Sequence, residues 1–79
     1  MDAKQRSDLQ EKANALLFRQ AVLLQRSAIL RDYKRENITG TRLAASEQYA
    51  LELLIEITER NLDFIKERRR AIVERLSEP

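Results

Sequence analysis

The chain has 79 residues, a formal net charge of +2, and neither cysteine nor histidine. This length limits it to one small domain, and such domains bury too little surface to be very stable without a disulfide, a metal or a second chain. The missing residue types exclude disulfides, ordinary zinc sites and catalysis by a Ser-His or Cys-His pair. Association with a second chain is the remaining way to complete the core.

The N-terminal segment carries charges with no apolar stretch behind them, so the sequence predicts no signal peptide. Apolar runs are only a few residues long, far short of the ~20 that cross a membrane. We therefore expect a cytoplasmic protein without membrane contact. We also expect no enzymatic activity, no cofactor, no metal and no small-molecule substrate. The single glycine excludes a phosphate-binding loop, and the paired Glu52 and Glu56 fall on a polar helix face.

Good helix formers dominate the chain, and its one glycine and one proline are Gly40 and Pro79. Ser7 and Gln10 have the spacing of a capping box, which predicts a first helix over residues 8–36. Turn formers surround Gly40 in residues 37–41, and Thr41 can cap a second helix over residues 42–76. Because so short a turn makes the helices antiparallel neighbours, the predicted fold is an all-α, coiled-coil-like hairpin in a single domain, 1–79.

Both predicted helices carry more apolar surface than one partner helix can cover. The first helix has a main stripe of Leu9, Ala13, Leu16, Leu17, Leu23, Leu24 and Leu30. A second stripe on roughly the opposite side contains Ala15, Phe18, Val22, Ile29 and Tyr33. On the second helix, we expect a centre line of Leu43, Ala50, Leu54, Ile65, Ile72 and Leu76, with apolar flanks on both sides. That band covers about half the circumference, against the ~100° that is typical of a surface helix.

The surplus predicts that the hairpin completes a four-helix bundle, either as a homodimer or with helices of another protein. The predicted protein interface consists of Phe18, Val22, Ile29, Tyr33, Leu51, Ile55, Leu62 and Phe64. Two amide residues, Gln20 and Asn61, are surrounded by apolar residues in the sequence pattern. Antiparallel pairing of the helices brings them to similar levels along the hairpin axis. They form either a hydrogen-bonded layer that sets register and partner number, or a pair that reaches solvent at the edge of the seam.

The leading functional hypothesis is a non-enzymatic protein–protein interaction module, such as a small adaptor, assembly factor or regulator. The alternative is a dimeric nucleic-acid-binding hairpin with a basic patch at its open end, formed by Lys66, Arg69 and Arg70. Acidic residues share that end, and consecutive helix residues point in different directions. These two features favour the first hypothesis.

Overall fold

The computed structural model describes residues 1–39 and 44–78, which form two long helices packed side by side. Helix α1 spans Ala3–Thr39, and helix α2 spans Ala45–Ser77. The described residues form a rod with extents of 58 × 14 × 14 Å. The predicted all-α helical hairpin is confirmed, and completion of a bundle by further helices stays a prediction.

Helix α1 begins earlier than the sequence analysis predicted, because its capping box lies at Asp2 and Gln5. The backbone N–H of Gln5 donates to Oδ1 of Asp2 at 2.8 Å, and the N–H of Asp2 donates to Oε1 of Gln5 at 3.3 Å. These reciprocal bonds satisfy N–H groups that a helix start otherwise leaves unpaired. The proposed cap at Ser7 and Gln10 is therefore wrong. The Gln10 amide instead donates to Oδ1 of Asn14 at 3.3 Å.

The other end of α1 continues into the segment that was predicted to be the turn. There the side-chain amide of Asn37 donates to the carbonyl oxygen of Tyr33 at 2.8 Å, one helical turn back. Gly40 and Thr41, on which the turn and the second cap were predicted, lie outside the described residues. Helix α2 begins after Ala44, whose carbonyl accepts the N–H groups of Glu47 and Gln48 at 3.0 Å each.

The two helices meet along a seam with an unbroken heptad repeat. The buried and half-buried residues of α1 alternate at spacings of four and three: Leu9, Ala13, Leu16, Gln20, Leu23, Ser27, Leu30, Lys34 and Asn37. Those of α2 with the same alternation are Gln48, Leu51, Ile55, Thr58, Leu62, Ile65, Arg69, Ile72 and Leu76. This spacing keeps one side of each helix against the other along the whole rod, as in a coiled coil. The seam defined by these residues is the core of the hairpin.

The side of α2 that faces α1 differs from the predicted centre line. The two directions around the helix axis differ by less than the roughly 100° that separates successive residues. Of that line, Ile65, Ile72 and Leu76 lie on the seam, Ala50 and Leu54 are exposed, and Leu43 lies outside the described residues. Leu51, Ile55 and Leu62 occupy the seam instead. This rotation of α2 also leaves Asn61 and Arg68, which are spaced along the predicted line with Leu54, exposed to water. Burying such groups without partners carries a large cost in free energy.

Charged side chains join the helices on one side of the seam. Arg31 pairs with Glu59, and Nζ of Lys34 lies 3.4 Å from Oε1 of Glu52. Both pairs link the last third of α1 to the first half of α2, as expected for antiparallel helices joined by a short connection. The side chains of both pairs are 36–57% exposed, and ion pairs in contact with water contribute at most about 1 kcal/mol each. Apolar burial along the seam therefore accounts for most of the stability.

Candidate interaction surface

The second apolar stripe of α1 lies outside the seam, as its spacing predicted. Phe18 and Ile29 are 71% and 61% exposed, and Val22 and Tyr33 are each nearly half exposed. Phe64, the predicted interface residue on the flank of α2, is 63% exposed. These five side chains are therefore accessible to a second molecule. Their contact with a partner stays a prediction.

The other three predicted interface residues occupy a different place. Leu51, Ile55 and Leu62 are buried between the two helices of the same chain. In this fold their partner is α1, because they supply the apolar positions of the heptad repeat in α2. They are therefore not accessible to a second molecule while the hairpin is folded.

The hairpin leaves more large apolar side chains exposed than it buries. Among the described residues, five apolar side chains are buried: Ala13, Leu51, Ile55, Leu62 and Ile65. Thirteen large ones are exposed: Met1, Leu17, Phe18, Val22, Leu24, Ile29, Tyr33, Tyr49, Leu53, Leu54, Ile57, Phe64 and Val73. Scattered exposed apolar residues are common in monomers, but continuous patches mark sites of interaction. The arrangement of the exposed residues therefore matters more than their number.

Many of the exposed apolar side chains share one side of the rod with basic residues. Residues seven positions apart in one helix lie on the same side of a coiled coil and form a series. Two such series from each helix flank the seam on one of its two sides. On α1 these are Lys12, Ala15, Arg19, Val22, Arg26, Ile29 and Tyr33. On α2 they are Ala50, Leu54, Ile57, Asn61, Phe64, Arg68, Ala71 and Arg75. We call this set the basic–apolar face.

The basic–apolar face has an uneven charge. It contains five cations, Lys12, Arg19, Arg26, Arg68 and Arg75, and no carboxylate. Carboxylates on this side lie only beyond its ends, at Asp8 and Glu78 near the open end and at Glu36 and Glu47 near the turn. The corresponding positions on the opposite side of the seam are balanced. They contain the cations Arg31, Arg35, Lys66 and Arg70, and the anions Glu52, Glu56, Glu59 and Asp63.

A groove runs along the open half of the basic–apolar face, with a volume of about 810 Å³. It is lined by Leu9, Lys12, Ala15, Leu16, Arg19 and Leu23 from α1, and by Asn61, Phe64, Ile65, Arg68, Ala71, Ile72 and Arg75 from α2. A smaller hollow beside it shares Arg19, Leu23 and Ile65 and extends to Phe18 and Val22. The groove thus joins an aliphatic floor to four cations, and its lining contains no anion.

The four groove cations have no partner within the described part of the chain. No ion pair or hydrogen bond there involves the side chain of Lys12, Arg19, Arg68 or Arg75. Because the helices are antiparallel, Arg19 lies at the level of Arg68, and Lys12 at the level of Arg75. Like charges that face each other across two helices repel, although water and salt screen exposed charges. The hairpin itself therefore gains nothing from this arrangement.

The predicted polar layer is divided between the seam and the groove. Gln20 is half-buried on the seam, whereas Asn61 is exposed and lines the groove. No hydrogen bond joins these two described residues. The buried polar residue in the middle of α2 is Thr58, whose hydroxyl donates to the carbonyl oxygen of Leu54 at 2.7 Å. Because that bond stays within one helix, it does not fix the register between the two.

A run of basic residues in α2, consisting of Lys66, Arg68, Arg69 and Arg70, is spread around the helix. Arg69 is half-buried on the seam, and its buried Nε has no hydrogen-bond partner in the described residues. Arg70 pairs with Oε2 of Glu67 at 2.7 Å, and Lys66 is exposed on the balanced side. Arg68 alone of this run lines the groove. The three residues predicted for nucleic-acid contact thus lie outside the groove.

The sequence analysis did not assign the groove cations to a site, although the sequence contains a signal for them. Lys12, Arg19 and Arg26 are spaced by seven residues, and so are Arg68 and Arg75. This spacing becomes informative only once the seam is known, because the seam decides which series flank it on the same side.

No helix in residues 1–39 and 44–78 is long and apolar enough to cross a lipid bilayer. Nor do three potential metal ligands come together in those residues. Comparison of the chain with protein families, with characterised proteins and with solved structures found no significant match. Any functional conclusion therefore depends on the residues themselves.

Proposed function

We propose that this hairpin is a non-enzymatic protein interaction module that presents apolar helical surface to a partner, as a small adaptor, assembly factor or regulator does. The observation that carries the proposal is the arrangement of the exposed apolar side chains, since six of the thirteen large ones in the described residues share the basic–apolar face: Val22, Ile29, Tyr33, Leu54, Ile57 and Phe64. An isolated rod has no means of covering them. A partner helix, from a second copy or from another protein, does.

The free energy that such an association can gain from apolar burial is large compared with the stability of a small domain. Full burial of a Val, Ile or Phe side chain contributes about 1.5–3 kcal/mol. Val22, Ile29 and Phe64 are three such residues on the basic–apolar face, and Tyr33, Leu54 and Ile57 extend it toward the turn. Even partial burial of these six is comparable with the whole stability of a small domain. Helices from a second hairpin would complete a four-helix bundle.

Site-specific photo-crosslinking in the cells that produce the protein tests this proposal. A photoreactive benzoyl-phenylalanine replaces Ile29, which is 61% exposed on the basic–apolar face. The matched control places the same residue at Glu74, which is exposed outside that face. We expect a discrete adduct, with the mass of a dimer or of a complex with another protein, from position 29 and not from position 74. Equal or absent adducts at both positions would refute the proposal.

The alternative, a dimeric nucleic-acid-binding hairpin, draws support from the groove rather than from the residues first assigned to it. Four cations without a carboxylate suit a polyanion. However, the floor between them is aliphatic, and single-stranded nucleic acids bind proteins largely by stacking bases on aromatic rings. Phe64 is the only aromatic residue in the lining. We therefore rank this function second.

A further inference from the structure

We propose that the groove binds an acidic amphipathic helix, which would convert the hairpin locally into a three-helix coiled coil. This inference rests on the function proposed above and specifies the chemistry of the partner. It follows from the floor of the groove, from its dimensions and from the sign of its charge.

The floor of the groove requires an apolar ligand with helical spacing. Leu16, Leu23 and Ile72 are only half-buried by the intrachain contact, and Ile65 lies beside them. These residues already belong to a heptad seam, so their exposed sides repeat at the same spacing along the rod. A third helix with its own apolar heptad stripe matches that repeat, as in coiled coils of more than two strands.

The dimensions fit a helical segment of moderate length. From Leu9 to Leu23 the lining extends over 15 residues of α1, and the 14 steps between them correspond to roughly 21 Å of helix. A helix of about four turns covers that distance. A flat membrane surface would instead contact the crests of the two helices and leave the floor uncovered.

The charge of the groove selects the sign of the partner. Lys12 and Arg19 line one wall at a spacing of seven residues, and Arg68 and Arg75 line the other at the same spacing. Carboxylates that flank the apolar stripe of a docked helix, also seven residues apart, would meet all four cations. Charges flanking an apolar seam are the usual determinant of partner choice in coiled coils.

The same charges disfavour a second copy of this chain in the groove. Two basic–apolar faces packed against each other would bring together five cations from each copy, with no carboxylate between them. Like-charge contacts of this kind suppress wrong partners. A second copy therefore does not compete for the groove, which stays available for an acidic helix.

A direct binding test uses synthetic fluorescent helices of about three heptads, with leucine at the two core positions and glutamate at the flanking positions. The matched ligand has lysine in place of every glutamate. Fluorescence anisotropy with the full chain, at low and high salt, is expected to show binding of the glutamate helix alone, weakening as salt rises. Vesicles containing phosphatidylserine, and single-stranded and duplex nucleic acids, serve as competitors.

Charge reversal locates the binding site. The double variant Arg19→Glu with Arg68→Glu should lose at least roughly tenfold in affinity for the glutamate helix and gain affinity for the lysine helix. The control, Arg60→Glu with Arg70→Glu, changes net charge equally, but its two cations lie outside the groove and pair with Glu56 and Glu67. It should bind the glutamate helix much as the unmodified chain does. Lys12→Glu with Arg75→Glu provides a second groove variant if the first loses helicity.

Three results would overturn the proposal. They are equal binding by the groove variants and the unmodified chain, no binding of the glutamate helix, and its displacement by vesicles or nucleic acid that themselves require Arg19 and Arg68. The last result would assign the groove to lipid or nucleic acid. The interaction function is judged separately, because the adduct at position 29 depends on no assumption about charge. An adduct there with no binding of the glutamate helix would refute the acidic partner alone.

Discussion

Truncation of two apolar residues in α2 tests whether the seam described above exists in solution. Leu62 lies on the seam and is 7% exposed, whereas Ile57 lies on the basic–apolar face and is 46% exposed. Leu62→Ala and Ile57→Ala each remove three side-chain carbons from the same helix. They therefore differ mainly in burial, which makes one the control of the other.

The expected magnitudes follow from that difference. Three buried carbons contribute about 2.4 kcal/mol, at about 0.8 kcal/mol each. A residual cavity would add to this, but no side chain of the rod is fully buried, so the site can partly collapse. We expect Leu62→Ala to lower the free energy of unfolding by about 2–3 kcal/mol. Ile57→Ala should lower it by about 1 kcal/mol or less, because nearly half of that side chain already contacts water.

Urea unfolding followed by circular dichroism at 222 nm measures both values. With a slope near 1 kcal/mol per molar, typical of a small chain, the midpoint should fall by roughly 2–3 M for Leu62→Ala and by about 1 M or less for Ile57→Ala. Repetition at tenfold higher protein concentration separates intrachain stability from association. Equal shifts for the two variants would contradict the assigned rotation of α2, since Leu62 would then be no more buried than Ile57.

Three further predictions concern the cap, the ion pairs and the exposed stripe. Asp2→Ala removes the acceptor of the Gln5 N–H and should destabilise the start of α1 by about 0.5–1 kcal/mol, seen as faster amide exchange in its first turn, whereas Ser7→Ala should leave that exchange unchanged. A double-mutant cycle with Arg31→Ala and Glu59→Ala should give a coupling energy below about 1 kcal/mol that shrinks with added salt, since both side chains are in contact with water. A larger, salt-independent value would contradict that assignment. Phe18→Asp and Ile29→Asp should each reduce association, measured by light scattering or crosslinking, while helicity is retained, because both side chains lie outside the seam. Unchanged association in both variants would exclude the second apolar stripe of α1 as the binding surface.

The candidate site was only partly predictable from the sequence. Phe18 and Ile29 were predicted at an accessible surface because their helical spacing sets them apart from the main stripe of α1, and Phe64 because it lies on the flank of the apolar band of α2; all three are exposed. The groove was not predicted, because Arg19 and Arg68 are 49 positions apart and acquire a common location only when the helices pair. Lys66, Arg69 and Arg70 stood out as a local run of charge, yet a run along one helix is distributed around its circumference.

The sequence alone determined that the chain forms two antiparallel helices, since helix formers fill it, one glycine interrupts it, and a short connection leaves no other arrangement. It also determined that helical packing within the chain would leave apolar surface exposed. Only the tertiary structure decided which part of the wide band on α2 turns inward, because a band covering half a helix permits several rotations. Packing against α1 selects one of these rotations. The heptad of α1 fits Leu51, Ile55 and Leu62 into the seam and leaves Asn61 and Arg68 in water, where polar groups keep their hydration.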